Sequence, residues 1–385
     1  MALRTVAIST KSGISAAVLV AALILAAVGA VLWRAEFGSG LGPADWSAIR
    51  FTVLQAALSA LLSTMLAIPV ARALARRRFV GRGLLVTLLG APFILPVIVA
   101  VLGVLAVFGR AGWLNAVLAA VGLPGITIYG LHGVVLAHVF FNLPLATRLL
   151  LQAWQTVPAE RFRLAAQLDL TPRAVFRSIE LPLLRQILPG TPALIFVICL
   201  TSFAVALTLG GGPRATTIEL AIYQAFRFDF DLNRAALLSL VQLGLAGSTA
   251  ALALWIIPAI SLGGGQDRPL HRWDARGGLQ RWLDALFITL AAGFLLLPLT
   301  SVVLRGVIGL PQMPASVWQA AGTSVTVALI SVVVLLALAL PLAGWIATRA
   351  RGGVEAVGLL GLAASPLMIG TGWFILINPV ARPLA

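Results

Sequence analysis

Val325-Thr326-Val327-Ala328-Leu329-Ile330-Ser331-Val332-Val333-Val334-Leu335-Leu336-Ala337-Leu338-Ala339-Leu340 runs without one Asp, Glu, Lys or Arg, inside a charge-free interval that extends from residue 306 to 348. A helix of a soluble domain keeps one polar face, and this stretch has none. A bilayer core about 30 Å thick needs about 20 apolar residues per helix. The other charge-free intervals of that length are 12–33, 51–71, 83–109, 111–147, 186–213, 235–266, 285–304 and 356–381. The whole chain agrees: 385 residues, 60% apolar and 10% charged, with a mean hydropathy of +1.04, against about 25% charged residues in a soluble domain. The sequence predicts an all-α polytopic membrane protein of about nine spans. A β-barrel is excluded, because its strands alternate in polarity.

The formal charge of +15 does not point to nucleic acid, which needs a basic surface on a water-exposed domain. Topology accounts for it. With the N-terminus inside and each interval crossing once, most of the 27 basic residues fall on the inner side, including Arg72, Arg76, Arg77, Arg78 and Arg82 and the arginines between residues 161 and 185. The first apolar run, Ile14 to Trp33, exceeds the length of a cleaved signal core and is expected to be an anchor. Cys199 is the single cysteine, so no disulfide forms within the chain. Trp33, Trp46, Trp154, Trp282 and Trp318 stand near span ends, as interface anchors do. Pro92 and Pro96 are expected to kink the third span.

The polar stretch Gly263 to Arg281 contains Gly-Gly-Gly, Pro269 and four arginines, and divides the chain into residues 1–262 with six spans, a cytoplasmic linker at 263–281, and residues 282–385 with three spans. Leu66-Ala67-Ile68-Pro69-Val70-Ala71 recurs as Leu338-Ala339-Leu340-Pro341-Leu342-Ala343, and Leu89-Gly90-Ala91-Pro92 has a counterpart in Ala363-Ala364-Ser365-Pro366. Two prolines recurring in one context point to a duplicated bundle. The counterpart of the long inner loop at 157–182 would fall beyond Ala385. The second copy is therefore expected to be incomplete, and the chain by itself inactive in transport.

That loop, Val157 to Pro182, is the most informative segment. Pro158-Ala159-Glu160 suits a helix start, and Thr171-Pro172 an N-cap followed by N1 of a second helix. Phe162, Ala165, Ala166, Leu168 and Leu170 are expected on one apolar side of the first helix. Val175, Phe176 and Ile179 are expected on one side of the second. Two short amphipathic helices in an inner loop either lie in the headgroup layer among membrane lipids or dock on a protein.

Ala165-Ala166, then Asp169, then Ile179-Glu180-Leu181-Pro182 resembles the coupling loop of ABC importer permeases. Aligned on its Ile-x-Leu-Pro end, the loop departs from that pattern at Arg163, where an acid is expected, at Leu164, where the first alanine is expected, and at Asp169, where the pattern has glycine. Asp tolerates the left-handed conformation such a turn needs. The resemblance implies a type I importer bundle. Within it, Arg163, Ala165, Ala166, Leu168, Asp169, Val175, Ile179, Leu181 and Pro182 would be the elements that couple to a separate ABC ATPase subunit.

Further resemblance narrows the family. Thr208-Leu209-Gly210-Gly211-Gly212-Pro213-Arg214-Ala215-Thr216-Thr217-Ile218-Glu219, His138-Val139-Phe140-Phe141-Asn142-Leu143-Pro144 and Arg76-Arg77-Arg78-Phe79 look like the permease subunit of bacterial thiamine and thiamine diphosphate ABC importers. Iron(III) permeases share the Gly-Gly-Gly-Pro region in looser form. The resemblance makes Gly211, Gly212, Arg214 and Glu219 candidates to face a periplasmic substrate-binding protein, against the plainer reading of an outer turn leading into an interfacial helix. His138 and Asn142, one helical turn apart, are candidates for the translocation pathway or for an interhelical hydrogen bond.

Several chemistries are missing. No phosphate-binding Gly-rich loop is present, and Lys11 is the single lysine. No acid lies in mid-span, which disfavours an ion-coupled carrier. His132, His138 and His271 make no metal-ligand cluster. No catalytic residue, metal or cofactor is expected. The expected function is translocation of thiamine and its phosphates, with iron(III) import and a non-transporting scaffold as rivals.

Overall fold

The computed structural model describes residues 10–36, 38, 40–210, 212, 215–256, 277–348 and 364–381. All regular elements among them are helical: α1 Thr10–Arg34, α2 Pro43–Arg76, α3 Arg82–Leu88, α4 Ala91–Ile94, α5 Val97–Phe108, α6 Trp113–Ala120, α7 Leu131–Gln155, α8 Ala159–Gln167, α9 Pro172–Val175, α10 Leu181–Ile187, α11 Gly190–Leu200, α12 Ala204–Leu209, α13 Ile218–Arg227, α14 Leu232–Ile256, α15 Gly278–Gly309, α16 Ala315–Thr348 and α17 Pro366–Ala381. Eight helical stretches among the described residues are long and apolar enough to cross a membrane: Lys11–Arg34, Pro43–Arg76, Val97–Ala120, Leu131–Gln155, Pro172–Leu200, Leu232–Leu252, Gly278–Gln312 and Ala315–Trp345. A ninth apolar helix, Pro366–Asn378, is shorter. The protein is an all-α polytopic membrane protein, as hydropathy requires: inside a bilayer a helix satisfies every backbone N–H and C=O from within.

Local chemistry sets the breaks. The third span is interrupted outright where a kink was expected. Leu89 and Gly90 end α3, and Pro96 caps α5 in extended backbone after the one-turn α4. The expected fourth span at 111–147 divides too. Its first part is the short α6, whose buried Asn115 ties the turns on both sides of the helix, donating to the Gly109 carbonyl before it at 2.9 Å and the Ile126 carbonyl after it at 2.8 Å and accepting from Ile126 N–H at 2.8 Å. The spanning helix begins only at Leu131. Of the expected linker, residues 263–276 lie outside the described residues, and Gly278–Arg281 already form the first turn of α15.

Two compact units interleave along the chain. One comprises Gly42–Ala221 and Ser248–Arg305. At its centre α2 packs along α7 and against α11, through a face of small residues: Ala48, Ala56 and Ala60 are buried there beside Thr52, Gln55, Ser59 and Ser63. In lipid such small side chains drive association by letting backbones approach. At the crossing of α5 and α15, Gly103 lies where an added Cβ would stand 2.6 Å from the Pro298 carbonyl oxygen.

The other unit comprises Met1–Leu41, Ile222–Gly247 and Gly306–Ala385, with α1 packed on α16 and α17. Ile24 and Val28 bury against Ala364 and Met368, and Ala30 and Val31 against Ala236 and Ile375. Gly372 sits so close to the Ala27 carbonyl that no Cβ fits. Pro69 and Pro341 each stand 26 residues after the start of their helix, α2 from Pro43 and α16 from Ala315.

Trp154 differs from its expected role. It is buried, 5% exposed, whereas Trp33, Trp46, Trp282 and Trp318 are all more than half exposed. The packed partners of α7 cover the side chain that position alone assigned to the interface.

Candidate functional site

Thr171 caps α9 by accepting the Ala174 N–H at 3.3 Å, with Pro172 following at N1. α8 ends in a Schellman closure: Asp169 N–H donates to the Ala166 carbonyl at 3.1 Å and Leu170 N–H to the Ala165 carbonyl at 3.0 Å. Asp169 takes the left-handed conformation this closure needs, with φ 48°. Its short polar side chain lowers the cost of that geometry relative to other non-glycine residues.

The elbow folds the two helices onto each other. Phe162, Ala165 and Val175 are buried, with Val157, Leu170 and Ile179 packed around them. Ala166 and Leu168, expected with Phe162 and Ala165 on one apolar side, lie instead on the exposed side of α8. The 3.6-residue period explains the split. Leu164 and Leu168 are one turn apart on the face turned away from the loop core, and they are 56% and 63% exposed. Arg163, Asp169 and Pro182 are exposed, whereas Leu181 is half-buried. The loop thus has its own small core and offers a separate apolar ridge.

The second segment is not the isolated short helix expected. From α9 the chain passes through a π-helical turn, Phe176–Glu180, into α10 and then α11. The apolar helical stretch Pro172–Leu200 is long enough to span a membrane.

The C-terminal end of α2 holds this segment in place. Arg72 Nε and Nη2 both donate to Glu180 Oε2 at 2.7 Å, and the guanidinium lies over the Phe176 ring, 4.7 Å from its centroid. Arg76 Nη2 is 3.5 Å from the same oxygen. Arg77 Nε reaches Asp284 Oδ2 on α15 at 2.7 Å. Arg82 Nε donates to the Leu74 carbonyl at 2.9 Å. Burial, with Arg78 beside it, lowers the Arg82 guanidinium from its ordinary value, which still leaves it charged at neutral pH. Sequence reasoning counted these arginines as topology signals and missed their contacts. It named Leu164 only as a departure from the coupling-loop pattern, although its four-residue spacing from Leu168 was the signal for a shared face.

Deeper in the same unit, His138 and Asn142 are buried on α7. His138 Nε2 pairs with Ser202 Oγ at 2.8 Å and Nδ1 with Ser59 Oγ at 3.3 Å. Asn142 Nδ2 donates to the His138 carbonyl at 2.8 Å and to Cys199 Sγ at 3.3 Å, and Gln55 Nε2 donates to the Cys199 carbonyl at 2.9 Å. These side chains form one hydrogen-bonded seam joining α2, α7 and the end of α11. On the opposite side, Gly212 has φ 130°, while Gly211 and Arg214 lie outside the described residues. Glu219 is fully buried at the start of α13, among Ile218, Leu220 and Ile222, and presents no exposed contact surface.

The chain is 44% identical to the thiamine transport system permease protein of Escherichia coli strain K12, over 95% of this chain and 71% of that protein. It is 44% identical to the corresponding protein of Salmonella typhimurium, over 86% of this chain and 64% of the relative. A molybdenum transport system permease protein of Mycobacterium bovis is 32% identical over 52% of this chain and 75% of its own length. No family model matches the chain. An all-helical multi-pass architecture and close identity along nearly the whole chain lead to one assignment: the chain belongs to the thiamine transport system permease family of inner-membrane proteins.

Proposed function

We propose that this chain is the translocation subunit of an ATP-driven importer that carries thiamine and its phosphates from periplasm to cytoplasm, powered by a separate ATPase and supplied by a periplasmic binding protein. The observation that carries the coupling reading is the exposed ridge of Leu164, Ala166 and Leu168 on a loop whose core is already closed by Phe162, Ala165 and Val175. Those leucines need not be exposed for the loop to fold. Two exposed leucines outside the spans fit a groove on a cytoplasmic partner.

The loop core transmits force because it is packed, with Ala165, Val175 and Ile179 inside it, while Arg163 and Asp169 flank the ridge. The Pro172–Leu200 stretch delivers that motion to the membrane, and Leu181 and Pro182 sit where it turns toward the span. For His138 and Asn142 the interhelical hydrogen-bond reading is the better supported, because both are buried in the seam between α2, α7 and the end of α11; the pathway reading stands beside it. Gly211, Gly212 and Arg214 remain candidates for the binding-protein side, whereas Glu219, expected there with them, is buried and is withdrawn as a contact.

Uptake of labelled thiamine by the full-length importer in liposomes, with its ATPase and binding protein, tests the reading. ATP-dependent uptake of thiamine and thiamine diphosphate is expected. Uptake of iron(III) without thiamine would replace this substrate with the rival.

A further inference from the structure

The π-helical turn between α9 and α10 has a sequence cause. Pro182 has no N–H, and its ring crowds the carbonyl four residues back. Leu181 N–H reaches the Phe176 carbonyl, five residues back, so the helix widens for one turn. Such single wide turns occur often at functional positions. Here both Phe176 and Glu180 of the turn meet the Arg72 guanidinium, the ring against its face and the carboxylate against its Nε and Nη2. Glu180 is fully buried, and the Arg76 side chain, one helical turn beyond Arg72, is 2% exposed. The grip falls just past Pro69, the one proline inside α2 and the point where that helix can bend.

A buried ion pair is an inefficient source of stability, because desolvation offsets most of its Coulomb gain. Its stronger property is geometric: a carboxylate against a guanidinium edge fixes the position and register of two elements. We propose that Glu180 is a positioning residue that makes the second span follow the coupling loop, its carboxylate carrying loop motion to Arg72 and Arg76 and so bending α2 at Pro69. This rests on the coupling reading above, and adds that one loop drives two spans: the fifth through the continuous stretch Pro172–Leu200, and the second through this clamp.

The test uses the full-length importer with its ATPase and binding protein in liposomes. Glu180→Gln is expected to keep the ATPase subunit bound and basal hydrolysis intact, while thiamine transported per ATP falls about tenfold, within the usual range of site-to-site coupling. Glu180→Asp should recover part of the loss. Arg72→Gln combined with Glu180→Gln should lose less than the two single losses combined, since the variants share the Arg72–Glu180 contact. Unchanged transport per ATP in Glu180→Gln would overturn the proposal. So would a loss that only follows the melting temperature and the amount of assembled complex, because that is a purely structural role.

A second measurement leaves the clamp intact. Spin labels at the exposed positions Arg78 and Ser178 should keep one separation with and without ATP, because the clamp moves the two segments together. A nucleotide-dependent change in that separation would refute the clamp even if every Glu180 variant failed to fold. Failure of the underlying coupling reading looks different: the ATPase would then stay bound and stimulated when the loop ridge, not Glu180, is altered.

Discussion

Arg77, the C-cap of α2, and Asp284 on α15 are joined by a 2.7 Å bond from Nε to Oδ2, with side chains 21% and 10% exposed. The pair pins the start of the seventh span to the end of the second, within one compact unit. Asp284→Asn should lower stability by about 1 kcal/mol, the upper end for a partly screened pair. Asp284→Arg should cost more through like-charge repulsion. Thermal unfolding of the detergent-solubilised protein reads both, and equal melting temperatures for the two variants would contradict the assignment.

Leu168→Asp separates docking from folding. Leu168 is 63% exposed, so the substitution should leave the melting temperature unchanged, yet it places a charge in a desolvated groove at a cost of several kcal/mol. Loss of ATPase co-purification and of stimulated hydrolysis is expected. The contrasting variant, Phe162→Ala, removes the largest member of the loop core and should cost about 3 kcal/mol, seen as faster proteolysis between residues 157 and 182.

Asp169 tests the elbow. At φ 48°, Asp169→Gly should be neutral or slightly stabilising, and Asp169→Val should cost about 1–2 kcal/mol through its branched Cβ. Limited proteolysis of the loop in the two variants provides the comparison. Equal cleavage rates would show that the left-handed turn is not under this constraint.

Gly103 tests the crossing of α5 and α15. Any side chain there must push the Pro298 carbonyl away from a Cβ 2.6 Å distant. Gly103→Val is expected to reduce folded protein severely, whereas Gly244→Ala, in a helix position with open space around it, should change little. The yield of monodisperse protein after solubilisation measures the difference.

Most of the helical content was legible in the sequence, because hydropathy and charge exclusion act residue by residue and the bilayer leaves the backbone no choice but helix or closed barrel. Local backbone chemistry was legible for the same reason. Thr171-Pro172 marked a helix start, Pro92 and Pro96 a disturbed place in the third span, expected as a kink and found as a break, and Asp169 a tolerated left-handed turn. Each depends on atoms within one or two turns of chain.

Only the tertiary structure decided which of the loop's apolar residues fold inward and which remain as a ridge. The helical period separates Phe162 and Ala165 from Leu164 and Leu168, but only the packing of Val175 and Ile179 decided which of the two faces turns inward. The same holds for Trp154, assigned to the interface by position and buried by its neighbours. It holds most for Arg72, Arg76 and Glu180. In the sequence they are charges on the cytoplasmic side, separated by more than a hundred residues, and no periodicity links them. An ion pair is a property of two surfaces brought together, so it came into view only once α2 and the turn before Pro182 were seen packed side by side.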